Sequence, residues 1–211
     1  MEGLLDGVAR TEEAEQRYLR TINTKAEDID RLVSQLFLYS KLNLEGVPME
    51  MRPVRLDAFL AGFVEESAPD SRTRGLELTA ERLAPVTVSA DPEQLRRVLS
   101  NILENSIKYK NKETGHLRIT LEESGRMTLA DDGPGVPDEA LPKLFDVFYR
   151  SDPSRKNPAG GSGLGLAIAA KAVQGMGGTI RACNVPNGGL EIEITLRKEE
   201  ACDAEDPDHR G

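Results

Sequence analysis

Cysteine is almost absent from this 211-residue chain: Cys183 and Cys202 are the only two. Two thiols at that spacing make neither a disulfide framework nor a zinc-ligand pattern. They fit a reducing, cytoplasmic setting, with thiols that are buried or idle. Long apolar runs are missing as well. None reaches the length needed to span a bilayer, and the residues after Met1 lack the charged, apolar and small segments of a signal peptide. As given, the chain reads as soluble. There is also no basic block. The net charge is −9, with 27 basic against 36 acidic side chains. Of that, −5 falls in residues 199–211, where six acidic side chains face Arg210. Nothing in the remainder is built to neutralise phosphodiesters, which argues against nucleic-acid binding. Histidine is scarce too, represented by His116 and His209 alone.

What is present is ordinary for a globular protein: 38% hydrophobic and 30% charged residues, enough for one full domain and an appendage. The most informative stretch is Asn101-Ile-Leu-Glu-Asn105-Ser-Ile-Lys108-Tyr109-Lys110. At about 100° per residue, Asn101, Asn105 and Lys108 share one helix face. Leu95, Val98, Leu99, Ile102, Leu103 and Ser106 occupy another with core-facing rhythm. Amide oxygens are hard donors of the kind Mg²⁺ accepts, and a lysine beside them can hold phosphate as a point charge. A merely solvated polar face would carry the same residues.

In chain order, residues 2–8 read as the end of a helix halted near Gly7. Thr11 reads as an N-cap for a long helix running to about Leu44, with Glu12 and Glu13 in its first turn. Ala14, Tyr18, Ile22, Ala26, Ile29, Val33, Leu36 and Phe37 form an apolar stripe that calls for a partner helix, or else for packing on the chain's own globular part. Glu45-Gly46-Val47-Pro48 ends that helix. An extended segment near Glu50–Arg55, a helix over Leu56–Ser71 and strands at Leu76–Leu83 and Val86–Ser89 follow. Asp91-Pro92-Glu93-Gln94 opens the central helix as cap, first-turn proline and capping box. Strands are expected at His116–Glu122 and Arg126–Ala130 around Ser124-Gly125, then a helix at Glu139–Phe148, a polar loop at Tyr149–Ser162 and a helix at Gly163–Met176. Strands at Thr179–Cys183 and Glu191–Leu196 flank the turn Asn187-Gly188-Gly189. Residues 199–211 read as a disordered acidic tail.

Two glycine clusters carry further chemistry. Asp131 precedes Gly133 and Gly135; its carboxylate accepts hydrogen bonds and can read an exocyclic amine such as that of adenine. The glycines allow the backbone to approach a flat ring. A plain turn closed by the aspartate on its own backbone fits the same residues. The second cluster, Gly160-Gly161-Ser162-Gly163-Leu164-Gly165-Leu166, runs into a helix whose free amides and dipole favour phosphate. It follows a loop, not a strand, and lacks a Gly-Lys-Ser/Thr ending, so neither a dinucleotide fold nor a P-loop is indicated. Between the clusters, Phe145 and Phe148 read as core anchors. Arg150, Arg155 and Lys156 either close over a triphosphate or are solvated charges.

The ordered set of Asn101, Asn105, Lys108 and Tyr109, then Asp131-x-Gly133-x-Gly135, then Phe145-x-x-Phe148, then Gly161-x-Gly163-x-Gly165-Leu166 resembles the catalytic, ATP-binding domain of bacterial sensor histidine kinases. The helix ending Leu38-Tyr39-Ser40-Lys41-Leu42 looks like the second helix of that family's dimerization and phosphotransfer hairpin. The resemblance implies an α+β fold, a two-layer α/β sandwich preceded by a long helix, with three main helices on one face of a mixed, largely antiparallel sheet. It divides the chain into a partial hairpin over residues 1–45, a catalytic domain over 46–198 and the tail over 199–211. It implies ATP and Mg²⁺ as cofactors: Asp131 on the adenine amine, Asn105 on the metal with Asn101 assisting, and Lys108 and Tyr109 beside the nucleotide. Arg150, Arg155 and Lys156 would belong to a lid that Gly161, Gly163 and Gly165 let fold over the phosphates, with Ser162, Leu164 and Leu166 in the same segment.

The implied activity is transfer of the ATP γ-phosphoryl to a histidine, for relay to a response regulator. A homodimer through the hairpin and a membrane anchor outside this chain belong to the longer parent. The acceptor histidine is missing, because neither His116 nor His209 has its context; it belongs upstream of Met1, whether the truncation is natural or chosen. Asp132 stands where the family often has Asn, and Gly188-Gly189-Leu190 lacks a frequent hydroxyl residue. Two other readings stay open. One is a gyrase-, MutL- or chaperone-type ATPase, whose water-activating glutamate four residues before the metal-binding asparagine is here Asn101. The other is a nucleotide-binding dimerization or docking module without kinase activity.

Overall fold

The computed structural model describes residues 11–43, 49–150, 162–186 and 188–199. The expected helix end at 2–8, the break at 45–48 and the tail from 200 onward lie outside the described residues. Helix α1 (Glu12–Asn43) begins where expected, with the Thr11 hydroxyl oxygen accepting from the Ala14 amide at 3.2 Å. At 32 residues it is about 48 Å long. Then come β1 (Arg52–Arg55), α2 (Leu56–Thr73), β2 (Leu76–Leu83), β3 (Thr87–Ala90), α3 (Pro92–Tyr109), β4 (Gly115–Leu121) and β5 (Arg126–Asp131). A short 3₁₀ helix (Asp138–Lys143), α4 (Gly165–Gly175), β6 (Thr179–Asn184) and β7 (Leu190–Thr195) complete the order.

The main sheet has the order β2-β4-β5-β7-β6. Its β2–β4 pair is parallel and the other pairs are antiparallel. The parallel pair is joined by a crossover through α3, the usual requirement for parallel neighbours. Alternation along the strands then sorts the faces. Leu76 and Leu78, Leu117, Ile119 and Leu121, Met127 and Leu129, and Ile192 and Ile194 all enter one buried cluster with the helices. The other face is polar, with Thr120 and Thr128 hydroxyls 2.6 Å apart and Arg126 on Glu193 at 3.0 Å. The fold is thus two layers, α2, α3 and α4 against one face of the sheet.

β1 and β3 form a separate antiparallel ribbon, which the sequence pattern did not separate from the main sheet. It is widened by the chain's last described residues, where the Ser89 amide donates to Arg197 and the Glu199 amide to Thr87. On the open edge of the main sheet, β2 carries a bulge between Glu81 and Leu83, where Arg82 adopts φ +52°.

Asp91 caps α3 as its spacing predicts. Its Oδ1 accepts from the Glu93 and Gln94 amides at 2.9 and 3.1 Å, and its Oδ2 accepts from the Glu50 amide at 3.1 Å. The cap therefore also fastens the segment that enters the domain. The face of α3 carrying Leu95, Val98, Leu99, Ile102 and Leu103 is buried, as the periodicity requires.

Two expectations fail here. The helix expected at Glu139–Phe148 is only the 3₁₀ helix Asp138–Lys143, and turns follow it to Phe148. Pro142 has no amide proton to donate and disfavours the α region at Leu141, which weakens an α-helical ladder there. The two phenylalanines are not core anchors either: Phe145 is half-buried, and Phe148 is 61% exposed.

The apolar stripe of α1 is largely uncovered, with Ile29, Val33 and Phe37 60%, 60% and 71% exposed. The helix does pack on α4, but Gln35, Leu38 and Tyr39 are its half-buried side chains there. Among the described residues no helix is long and apolar enough to cross a membrane.

Leu99 is fully buried at the centre of the helix layer. Leu99→Ala is expected to cost about 2–5 kcal/mol, read as a lower urea midpoint with an unchanged denaturant slope.

Candidate functional site

The site is assembled around Asp131, the last residue of β5. Its Oδ1 accepts two main-chain amides, Gly133 two residues on and Leu190 at the start of β7, each at 3.0 Å. The local turn considered from sequence is therefore present. It uses only one of the two carboxylate oxygens. Oδ2 accepts from the Ser106 hydroxyl of α3 at 3.2 Å. Leu190 can reach Asp131 because the preceding Gly189 lies directly against the Asp131 carbonyl with φ +113°, where a Cβ would collide with that oxygen.

Ser106 follows Asn105, so the amide face of α3 begins one residue from Asp131's partner. Asn101, Asn105 and Lys108 are half-buried along this face, and Tyr109 is 41% exposed at its end. The Lys108 ammonium lies 4.9 Å from the Tyr109 ring centroid. At the other end, the Asn101 carboxamide oxygen is 3.5 Å from where a Cβ of Gly165 would stand, at the first turn of α4. The trough from Asn101 to Tyr109 spans about 12 Å of helix axis. Its flanks are the N-terminus of α4 at one end and the Asp131–Gly135 loop at the other.

That loop is held by Asn184 of β6. Its Oδ1 accepts from the Val136 amide at 3.0 Å, and its Nδ2 donates to the Val136 carbonyl at 2.7 Å and to Asp138 at 2.9 Å. Before α4, Gly163 takes φ +70° against the backbone of Phe148, leaving no room for a Cβ. The Phe148 amide donates to the Gly163 carbonyl at 3.1 Å. Phe148 is itself at φ +62°, a left-handed conformation uncommon for a bulky residue. Ser162 is shared between bodies: its hydroxyl donates to Gln35 of α1 at 2.8 Å and accepts from the Leu164 amide at 3.1 Å. Leu164 is buried, Leu166 is half-buried against the core, and Arg150 is exposed. Arg155, Lys156 and Gly161 lie outside the described residues.

Sequence reasoning missed Asn184, Gly189, Gln35 and the polar use of Ser106. The rhythm of α3 marked Ser106 only as a core position, and nothing local singles out the others. Glu104 is tied away from the trough, where both guanidinium nitrogens of Arg74 meet its carboxylate, one at 2.7 Å. That hydrogen bonding, with the carboxylate's charge behind it, raises the Arg74 pKa. With Asn101 in the position where a hydrolase would place its glutamate, this arrangement supplies no water-activating base on that face of α3.

A groove of about 640 Å³, lined by Arg52, Pro53, Val54, Arg55, Phe59, Pro92, Glu93 and Arg96, lies at the opposite end of α3. Two of its arginines are engaged locally, Arg55 with Asp57 and Arg96 with Glu66. Cys183 is exposed on the sheet, with its thiol pushed up by desolvation and then by Glu191. Among the described residues there is no cluster of three acidic, histidine or cysteine side chains to hold a metal. Metal binding at the trough would rest on amide oxygens together with oxygens of a ligand.

Residues 90–200 match the family described as histidine kinase-, DNA gyrase B- and HSP90-like ATPases. The chain belongs to that family. Its relatives are sensor histidine kinases, and the fold and motifs are those of the ATP-binding catalytic region of such kinases. It is 35% identical over 202 residues to the signal transduction histidine-protein kinase BaeS of Escherichia coli, covering 93% of this chain and 42% of BaeS. It is 30% identical over 203 residues to the sensor histidine kinase WalK of Bacillus subtilis, covering 93% of this chain and 33% of WalK. The chain thus spans less than half the length of these relatives. In fold it resembles full-length ShkA, crystallised in complex with AMPPNP, with a TM-score of 0.72 at 24% identity, covering 90% of this chain and 40% of that one.

Asp132 offers a test of the site's rim. Burial alone would raise its pKa. Instead the His116 amide at 2.8 Å and the Lys112 ammonium at 3.0 Å hold the carboxyl below its ordinary value. A depressed folded-state pKa contributes stability above the unfolded value of about 3.9, and that stability is lost as pH falls through the folded value. Asp132→Asn is therefore expected to be less stable than the parent near pH 7, with the gap closing below about pH 4. Urea unfolding across this range reads the difference.

Proposed function

We propose that this chain binds Mg-ATP in the trough between α3 and α4 and presents the γ-phosphoryl to a histidine on a separate helical segment. The observation that carries the reading is the convergence of three features on one trough: the amide face of α3, the half-committed carboxylate of Asp131 and the amide-rich start of α4. Asp131 Oδ2 would accept the adenine amine while Gly133 and Gly135 let backbone lie beside the ring. Asn105, assisted by Asn101, would hold Mg²⁺, whose charge neutralises the developing charge on the phosphates. Lys108 and Tyr109 would flank the nucleotide. Gly161, Ser162, Gly163, Leu164, Gly165 and Leu166 would form the segment over the phosphates, where α4's free amides favour an anion. Arg150, Arg155 and Lys156 would close from the lid side.

Positioning and charge neutralisation carry most of such a transfer, so these residues bind and orient, and the nucleophile comes from elsewhere. The division into residues 1–45, 46–198 and 199–211 belongs to this reading. So do a homodimer through α1 in a longer parent, a cytoplasmic setting and a response regulator as the final acceptor. The exposed stripe of α1 favours a second reading, in which the chain docks and binds nucleotide without transferring phosphate.

Asn105→Asp is expected to weaken Mg-ATP binding by about tenfold or more and to abolish transfer, because a carboxylate placed near the phosphates repels them. Calorimetry reads affinity, and phosphohistidine on a supplied hairpin reads transfer. An unchanged affinity with intact transfer removes Asn105 from its role. Nucleotide binding by the parent chain with no transfer to the hairpin favours the second reading.

A further inference from the structure

We propose that Ser106 is a positioning residue for purine recognition, one that fixes the direction in which Asp131 presents its second carboxylate oxygen, Oδ2. The inference rests on the reading of Asp131 as acceptor of a purine amine and goes beyond it.

Ser106 is 4% exposed on α3. Its hydroxyl oxygen lies 3.2 Å from the Ile102 carbonyl and 3.2 Å from Asp131 Oδ2. One hydroxyl has one proton and here two acceptors. The back-bond to Ile102 alone would satisfy a buried serine in a helix, so the second acceptor is a feature of its placement against β5. The carboxylate's other oxygen is already gripped by the Gly133 and Leu190 amides, each at 3.0 Å. With Oδ1 anchored, the freedom left to the group is a swing of Oδ2, and the Ser106 hydroxyl is the polar contact on that oxygen among the described residues.

Two consequences follow. The hydroxyl occupies one lone-pair direction of Oδ2 and leaves another to a ligand N–H, which sets the plane in which an amine must arrive. Because its proton can turn to Ile102, Ser106 stays satisfied whether or not a ligand amine takes up Asp131's charge, so ligand entry strands no buried donor. Oδ2 itself remains a pure acceptor. That atom attracts the 6-amino group of a purine and gains nothing from a purine with hydrogen at that carbon.

The test is calorimetry on the whole chain with Mg-ATP and with the triphosphate of purine riboside, which carries hydrogen in place of the 6-amine. Ser106→Ala is expected to weaken ATP by about fivefold, leaving the desamino nucleotide within about twofold, with Ser106→Thr restoring the preference. Thermal unfolding of each variant accompanies the titrations. An equal loss for both nucleotides means a structural role only and overturns the proposal, as does a Ser106→Ala protein that keeps the full preference for ATP. If the parent chain itself binds both nucleotides alike, the amine-reading role of Asp131 fails first, and this proposal falls with it.

Discussion

One carboxylate oxygen, Oδ1 of Asp131, receives main-chain amides from two strands' ends at once, and the arrangement of the trough depends on that grip. A half-buried charge has to be compensated. Here compensation comes from backbone, which cannot drift as a side chain can. The antiparallel pairing of β5 with β7 brings Leu190 to this place, and the tight packing of Gly189 on the Asp131 carbonyl keeps it there. With that oxygen committed, the second one faces α3, and the helix's polar face acquires a fixed neighbour. The loop after β5 is then stapled to β6 through Asn184, so both ends of the Asp131–Asp138 segment are held by the sheet.

Much of the fold could be read directly from residues. The strand at Leu76–Leu83 has its expected bounds, and the cap at Asp91 behaves as Asp-Pro-Glu-Gln spacing demands. The strands expected at His116–Glu122 and Arg126–Ala130 form at Gly115–Leu121 and Arg126–Asp131, and their alternating burial fixes the register, because a one-residue slip would turn the apolar set outward. The failures have a common cause. The helical span expected over Glu139–Phe148 runs across Pro142, and hydrophobicity alone does not bury a side chain: Phe148 stays exposed, on a left-handed backbone.

For the candidate site, sequence order grouped the amides, the aspartate and the glycines, but it said nothing of which oxygen faces which donor. Asn184 to Val136, Leu190 to Asp131 and Ser162 to Gln35 are separated by 48, 59 and 127 residues. No local pattern encodes such pairs. The second face of α1 illustrates the same point. Its stripe was evident from spacing, yet the side chains that meet α4 are a different set, with Gln35 reaching the loop before that helix. A polar glutamine does not advertise itself as a contact.

The irregularity at Arg82 has a consequence for how the molecule behaves in company. β2 is an outer strand of the sheet, and uninterrupted outer strands recruit neighbours by adding to the ladder. An arginine in the left-handed region, with a skipped partner beside it, tilts and charges that border so that an incoming strand finds no continuous row of donors and acceptors. Self-association through sheet growth is thereby discouraged along this border, and adhesive apolar area is concentrated on the long helix.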